Sequence, residues 1–192
     1  MNSTLVTLIL DFNIKLGSDG MKNLSRGLCT NSTLKKLSVK YCGIDQKGGD
    51  ALAEILLFPK VGLLTLELGG NQLSAEGLHR ICRGLAQNSS LTYFGISDNQ
   101  IWGPRDEKTL STFAAYIAKH PQLKEVNLLY NLLEEKGALA LLPALDTVDN
   151  PRIEKFLIDE TYVPRELFQR LYRNKVPTKK KASKKKKKGG GK

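Results

Sequence analysis

Apolar residues recur along the chain with two alternating periods. In six segments, apolar side chains occupy the first, fourth and sixth positions, and the ninth position carries Asn, Cys or Thr. The segments are LVTLILDFN (5–13), LKKLSVKYC (34–42), LLTLELGGN (63–71), LTYFGISDN (91–99), LKEVNLLYN (123–131) and IEKFLIDET (153–161). Within each segment the apolar positions alternate, as in a strand with one buried face. Each segment therefore predicts a short strand followed by a turn.

A helical pattern follows these strands. An aliphatic residue and a glycine come after the turn, and apolar residues then recur four apart, as at Leu52 and Leu56. That spacing puts them on one face of a helix. The fourth unit is longer, and because Gly103 and Pro104 lie there, we expect a lengthened loop within residues 102–108. TYVPRELFQRLYR (161–173) predicts a polar helix that caps the C-terminal end.

The pattern LxxLxLxxN followed by (I/L)xxxGxxxLxxxL resembles the leucine-rich repeat family, in its ribonuclease-inhibitor-like class, over about residues 2–172. The resemblance implies an α/β fold: a curved solenoid of about six strand-helix units, with parallel strands on the concave face and helices on the convex face. Stacking buries the apolar faces that single units cannot bury. We expect the amides of the turn asparagines to satisfy enclosed backbone groups, and Cys42 to substitute weakly for one of them.

The connections between helices and strands carry a second motif. NSTL occurs at 2–5 and 31–34, and NSSL at 88–91. Each is formally a glycosylation acceptor, but the repeat architecture explains the spacing better. We expect the asparagines to end helices in the left-handed conformation. Because the first copy opens directly onto a strand, we expect a partner, another copy or a missing repeat to cover the apolar face of that strand.

The positive charge is concentrated at one end. The formal net charge is +11, but ten of the 30 basic residues are lysines within 175–192, which leaves 20 basic and 19 acidic residues elsewhere. We expect residues 173–192 to be a disordered lysine-rich tail, because its stretch KKKASKKKKKGGGK (179–192) lacks large apolar residues and repels itself. The expected polyanion-binding residues are Lys179, Lys180, Lys181, Lys184, Lys185, Lys186, Lys187 and Lys188.

Several partners fit such a tail. Nucleic acid, an anionic membrane surface and acidic protein tails such as those of tubulin all attract clustered lysines. The tail also resembles a nuclear-import signal. The alternative is a solvated tail without a specific partner.

The sequence contains no motif for catalysis, metal binding or a cofactor. The three cysteines lack metal-ligand spacing, and their odd number favours a reducing compartment with buried thiols. We expect His79 and His120 to be solvated helix residues, and GGGK at 189–192 lacks the context of a phosphate loop. No apolar run approaches the roughly 18 residues of a membrane span. We therefore expect a non-enzymatic, cytoplasmic protein without a cofactor.

The variable strand positions predict a binding surface. The side chains that alternate outward from the strands, with those that flank them, mix aromatic groups with both signs of charge, as protein-binding surfaces do. The expected protein-binding residues are Phe12, Lys36, Lys40, Tyr41, Glu67, Tyr93, Asp98, Trp102, Glu125 and Tyr130. The alternative is that these are merely exposed strand residues, and that Trp102 packs over a neighbouring helix.

Three functions are compatible with these features. The leading hypothesis is a protein-protein interaction scaffold that binds a protein on its concave face, with the tail attracted to an acidic assembly in a cytoskeletal or ciliary setting. The second is regulation of a small GTPase, by resemblance to Ran GTPase-activating protein, although that family is longer and has an acidic tail. The third is a nucleic-acid-associated protein anchored by the tail, whose binding would weaken steeply with salt.

Overall fold

A parallel sheet with one strand per repeat organises the molecule. The computed structural model describes residues 2–58, 62–145 and 152–175. The strands are β1 (Thr7–Ile9), β2 (Lys36–Ser38), β3 (Thr65–Glu67), β4 (Tyr93–Gly95), β5 (Glu125–Asn127) and β6 (Lys155–Leu157), and they pair in chain order. Equivalent positions lie side by side, as with Leu37, Leu66 and Phe94. The repeat period of the sequence is therefore the register of the sheet.

A helix follows each strand and packs against the helix of the next repeat. In the described residues the helices are α1 (Gly17–Leu28), α2 (Gly48–Leu57), α3 (Ser74–Leu85), α4 (Gly103–Lys119), α5 (Glu134–Leu141) and α6 (Arg165–Leu171), and a 3-10 turn follows α5 at Leu142–Ala144. The predicted apolar pair Leu52 and Leu56 is buried, as are Ile81 and Leu85. The predicted α/β solenoid is confirmed.

The core lies between the sheet and the helices. In the last five repeats the three apolar strand positions are all buried: Leu34, Leu37 and Val39; Leu63, Leu66 and Leu68; Leu91, Phe94 and Ile96; Leu123, Val126 and Leu128; Ile153, Phe156 and Ile158. Burying one such side chain contributes roughly 1.5–3 kcal/mol. In the first repeat Leu5 is 37% exposed, and Leu8 and Leu10 are only partly buried. The first strand thus has an apolar face that the described residues leave open.

Asparagine side chains tie successive turns together, as expected. The Oδ1 of Asn71 accepts hydrogen bonds from the amides of Cys42 and Ile44, at 3.0 and 3.1 Å. Its Nδ2 donates to the carbonyls of Leu68 and Val39, at 2.7 and 2.9 Å. Asn131 makes the same set of contacts two repeats later. These bonds satisfy enclosed backbone groups, which are costly to leave unpaired.

The asparagines of the second motif act as caps on the following strand. The Oδ1 of Asn31 accepts from the amides of Thr33 and Leu34, at 2.9 and 2.7 Å, and Asn88 does the same for Ser90 and Leu91. Neither asparagine has a positive φ. The left-handed conformation expected here is therefore wrong, because the side chain closes a turn over the two amides that follow it.

His120 fills this capping position in the fourth repeat. Its Nδ1 accepts from the amides of Gln122 and Leu123, at 3.3 and 3.1 Å. The residue is only 4% exposed, and its Nε2 has no hydrogen-bond partner among the described residues. The expectation of a solvated helix residue is wrong for His120, whereas His79 lies exposed on α3.

The extra residues of the fourth repeat lengthen a helix and do not form a loop. α4 begins at Gly103 and runs for 17 residues. Proline fits the first turn of a helix, where its missing N–H has no intrahelical partner. The Asp106 carboxylate accepts a hydrogen bond of 2.8 Å from the Trp102 backbone amide, and a negative charge is favourable at a helix N-terminus. The Gly-Pro pair therefore begins the helix earlier.

The C-terminal end of the sheet carries a strand that the sequence did not predict. β7 (Arg173–Asn174) pairs antiparallel with β6. Arg173 donates from Nη2 to the carbonyl of Leu145, at 2.8 Å. Before it, α6 buries Leu171 against the core. The fold therefore continues past residue 172, while residues 176–192, with all the predicted polyanion-binding lysines, lie outside the described residues.

Candidate protein-binding surface

The outward side chains of the sheet form three rows, one residue per repeat. The rows are Thr7, Lys36, Thr65, Tyr93, Glu125 and Lys155; Ile9, Ser38, Glu67, Gly95, Asn127 and Leu157; and Asp11, Lys40, Gly69, Ser97, Leu129 and Asp159. The rows contain both signs of charge. The predicted residues Lys36, Lys40, Glu67, Tyr93 and Glu125 therefore share one face of the sheet.

Tyr93 lies at the centre of this face, over a glycine. A Cβ at Gly95 would come within 2.9 Å of Tyr93 Cε1 and 2.5 Å of Glu67 Oε2, so the missing side chain makes room for both. Burial and the neighbouring Glu67 carboxylate raise the pKa of Tyr93, whereas a hydrogen bond with the Asn127 side chain lowers this pKa by a smaller amount. Three strands thus contribute to one polar cluster around a phenol that stays protonated.

Two ion pairs flank this cluster. Lys155 Nζ lies 3.1 Å from Glu125 Oε2. At the other end of the sheet, Asp11 Oδ1 accepts from the Ser38 hydroxyl at 2.6 Å and the Lys40 amide at 2.9 Å, and Lys40 Nζ lies 3.4 Å from Asp11 Oδ2. Burial alone would raise the pKa of Asp11, but these hydrogen bonds and the Lys40 charge lower it below 3.8. The charged side chains are therefore held in defined positions.

A strained turn borders the rows at the ends of the strands. The residue before the turn Asn or Cys has a positive φ in all five of the first repeats, at Phe12, Tyr41, Gly70, Asp98 and Tyr130. Glycine adopts this conformation without strain, whereas other residues pay about 1–2 kcal/mol. Bulky aromatic residues nevertheless occupy three of the five positions. We call this line of residues, together with the residue that directly follows the turn Asn, Cys or Thr of each repeat, the rim.

Apolar side chains gather at the N-terminal end of the rim. The rings of Phe12 and Tyr41 stack with centroids 5.0 Å apart and planes 5° from parallel. A Cβ at Gly70 would come within 2.1 Å of the Tyr41 ring, which therefore lies over that glycine. Phe12 is 74% and Tyr41 44% exposed, and Ile14 beside them is also exposed. Phe12, Ile14 and Tyr41 form the N-terminal rim patch.

A second apolar patch occupies the other end of the rim. Tyr130, Leu132 and Tyr162 line one depression together with Asp159, and all three are exposed, Tyr130 at 74%. The amide of Tyr130 donates to the Asp159 carboxylate, which fixes the turn. We call Tyr130, Leu132 and Tyr162 the C-terminal rim patch.

Trp102 lies beside this patch, since it bridges to Leu132. Its Nε1 donates to Glu134 Oε1 at 3.1 Å, and the Arg105 guanidinium lies 4.5 Å from the centroid of its ring. The indole remains 36% exposed. Trp102 therefore contacts Arg105 of its own repeat and Leu132 and Glu134 of the next one, and it still presents an edge to solvent. That Trp102 binds a protein stays a prediction.

The sequence reasoning identified part of the rim and missed the rest. Phe12, Tyr41, Asp98 and Tyr130 lie on it as flanking residues of the strands. Ile14, Leu132 and Tyr162 were missed. The available signal was an apolar residue directly after the turn position, where the middle repeats have Gln72 and Gln100. That these residues bind a protein remains a prediction.

The described residues offer little chemistry beyond this surface. They contain no group of three or more His, Cys, Asp or Glu placed to hold a metal ion, and no helix long and apolar enough to cross a membrane. Cys29, Cys42 and Cys82 are free and buried. Burial raises the pKa of each thiol, that of Cys82 to about 12. The expectation of buried thiols is confirmed.

Comparisons with known proteins agree with the repeat. The family profile described as "Leucine Rich repeat" matches residues 30–53 and 63–82. Leucine-rich repeat-containing protein 45 of Gallus gallus is 37% identical over 87 residues, which are 45% of this chain and 13% of that protein. Ribonuclease inhibitor of Sus scrofa is 27% identical over 159 residues, which are 82% of this chain and 34% of that protein. The chain thus spans 13% and 34% of the lengths of these two relatives.

Two solved structures share the fold. The tropomodulin C-terminal domain of Caenorhabditis elegans has a TM-score of 0.61 and 16% identity, covering 75% of this chain and 84% of that one. Leiomodin-1 actin-binding site 2 has a TM-score of 0.58 and 20% identity, covering 64% and 69%. Sheet register, turn asparagines, profile match and relatives lead to one conclusion. The chain belongs to the leucine-rich repeat family, in its ribonuclease-inhibitor-like class.

Proposed function

We propose that the chain is a non-enzymatic scaffold that binds a protein on its concave face. The observation that carries the proposal is the polar network at the centre of that face. Tyr93 interacts with both Glu67 and Asn127, and Lys155 pairs with Glu125, while all five side chains stay partly exposed. Groups that are already ordered cost little further entropy when a partner engages them.

The lysine-rich tail adds a second element to the proposal. It attracts the scaffold to an acidic assembly, and its contribution decreases as salt screens the charges. A cytoskeletal or ciliary assembly is the proposed setting. A solved structure with the same fold is named for an actin-binding site, so actin filaments are tested beside microtubules. A partner, a second copy or a further repeat covers the open face of β1 in the proposed assembly.

Lys36→Glu provides the test of the concave face. Lys36 is half-buried in the first row, and Lys108→Glu makes the same change of charge at an exposed position of α4. Partners of the full chain are identified by proximity labelling in cells, and the leading one is purified for a binding titration. We expect Lys36→Glu to weaken its binding at least tenfold and Lys108→Glu to leave it unchanged. Equal binding by both variants would show that the concave face is not the site.

Deletion of residues 176–192 tests the tail separately. Cosedimentation with actin filaments and with microtubules is measured at low and high salt. We expect the deletion to remove the salt-dependent part of the binding and to leave the concave contact intact. A variant that binds as the full chain does at every salt concentration would exclude a role for the tail.

A further inference from the structure

The rim presents two apolar patches with a polar stretch between them. The N-terminal rim patch belongs to the first two repeats, and the C-terminal rim patch to the last two. Between them lie Gly70, Gln72, Asp98 and Gln100, among which Asp98 carries the only charge. From this arrangement, we propose that the rim binds an extended peptide segment of a partner protein through two apolar anchors with a basic residue between them. The proposal deepens the scaffold function and rests on it.

The spacing of the repeats sets the spacing of the anchors. Tyr41 and Tyr130 lie three repeats apart, and neighbouring strands are separated by about 4.8 Å, so the patches are about 14 Å apart along the rim. An extended chain advances about 3.3 Å per residue, and side chains two apart lie on the same side. Residues i and i+4 of an extended segment therefore reach the two patches from one side, at about 13 Å.

The middle of the segment then faces the centre of the rim. The side chain of residue i+2 lies halfway between the anchors, next to Asp98. The Asp98 carboxylate is exposed, and the Tyr41 ring covers Gly70, the rim residue of the preceding repeat. A Lys or Arg at i+2 places its charge there. The inferred motif is apolar-x-basic-x-apolar.

The backbone strain supports a role in binding for the aromatic side chains. Phe12, Tyr41 and Tyr130 adopt a conformation that Gly70 adopts without strain at the same turn position. Local strain persists chiefly at positions with a functional use. Tyrosine and phenylalanine supply large contact area with few rotatable bonds, which suits them as anchors for a peptide. An exposed aromatic residue in a strained turn is otherwise a poor choice for stability.

Selection of a random peptide library provides the test. Phage-displayed 12-residue peptides are selected on the full 192-residue chain, and the best peptide is synthesised and titrated by fluorescence anisotropy. The variants are Tyr41→Gly, Tyr130→Gly and the double variant. Glycine fits the positive φ at both positions, so the rings are removed without adding backbone strain. Circular dichroism of each variant confirms that it remains folded.

We expect enrichment of the apolar-x-basic-x-apolar spacing. Each single glycine variant should bind the best peptide about tenfold more weakly, as hot-spot residues do. Asp98→Asn, which also suits a positive φ, should weaken binding a few-fold and remove the preference for a basic residue at i+2. Leu139→Ala, at an exposed position of α5, should bind like the wild type.

Several results would overturn the inference. The inference fails if no peptide is enriched, or if the enriched peptides lack the i, i+4 spacing, as acidic peptides bound by the lysine tail would. It also fails if the double glycine variant binds the best peptide as tightly as the wild type does. The proposed scaffold function can survive this failure. If Lys36→Glu abolishes partner binding while the glycine variants do not, the concave face is the site and the rim is not.

Discussion

Replacing His120 by asparagine tests how the fourth repeat is capped. The imidazole is almost completely buried, and its Nδ1 must stay unprotonated to accept the two amides of Gln122 and Leu123. Burial, and secondarily the charge of Arg152, lower its pKa from 6.5 to about 4. Asn31 and Asn88 perform the same capping without a titratable group, and their Nδ2 atoms donate to carbonyls of the preceding repeat.

The pKa shift translates into a pH-dependent stability. Because the folded-state pKa lies below 6.5, the contribution of the neutral ring is complete above about pH 6.5, and it is lost as the pH falls from there through 4. Each pH unit within this window is worth about 1.4 kcal/mol. Between pH 7 and pH 5, this group alone should lower the free energy of unfolding by about 2 kcal/mol. His120→Asn should abolish that part of the pH dependence.

At pH 7 the variant should be at least as stable as the wild type, because it removes a buried Nε2 that has no hydrogen-bond partner in the described part of the chain. An unpaired buried polar group costs about 1–3 kcal/mol. Urea unfolding is followed by far-UV circular dichroism and by the fluorescence of Trp102, the single tryptophan. Measurements at pH 5, 6 and 7 give the free energies of unfolding.

His79→Asn is the matched control, because it removes the other histidine, which lies exposed on α3. We expect His79→Asn to show the same pH dependence as the wild type. If His120→Asn loses stability between pH 7 and pH 5 as steeply as the wild type, the buried imidazole is not its source. The assignment of a neutral capping histidine would then be refuted.

Three further experiments test the packing. Asn71→Ala should lower the free energy of unfolding in urea by about 3 kcal/mol or more by leaving backbone groups unpaired, whereas the exposed Asn13→Ala should cost under about 1 kcal/mol. Gly103→Ala should lower the melting temperature, because its Cβ would lie 1.6 Å from the Leu133 carbonyl oxygen; Gly27→Ala, with open space on α1, should raise stability by about 0.5–1 kcal/mol. Cys82 should react with a thiol reagent at pH 8 only after unfolding, and rapid reaction of the native protein would contradict its burial.

The sheet could be predicted from the sequence because its register follows directly from the repeat period. A leucine in one repeat has its neighbour about 29 residues later, so the alignment of the segments was already the pairing of β1 through β6. The start of α4 was misplaced because Gly-Pro is a loop signal in general and a helix-start signal when acidic residues follow. The strand β7 escaped prediction because two residues carry no alternation.

The candidate surface was only partly predictable, for a different reason. Outward positions follow from the strand period, so Lys36, Glu67 and Tyr93 could be assigned to one face. Their mutual contacts could not, because the cluster depends on the missing side chain of Gly95 and on three strands at once. His120 was misjudged because its role comes from its alignment with Asn31 and Asn88, not from its residue type.

The turn asparagines couple neighbouring repeats unequally. Asn71 accepts from two amides of the repeat before it, and donates one bond, to Val39, in return. Losing a repeat therefore leaves two backbone amides unpaired in its predecessor, whereas losing the predecessor leaves only side-chain groups of Asn71 unpaired, its Oδ1 and one Nδ2 hydrogen. Among the described repeats, α6 and β7 cover the last one, whereas Leu5 and Asn13 are exposed in the first. We therefore expect these repeats to unfold with a polarity, beginning at the repeat of β1.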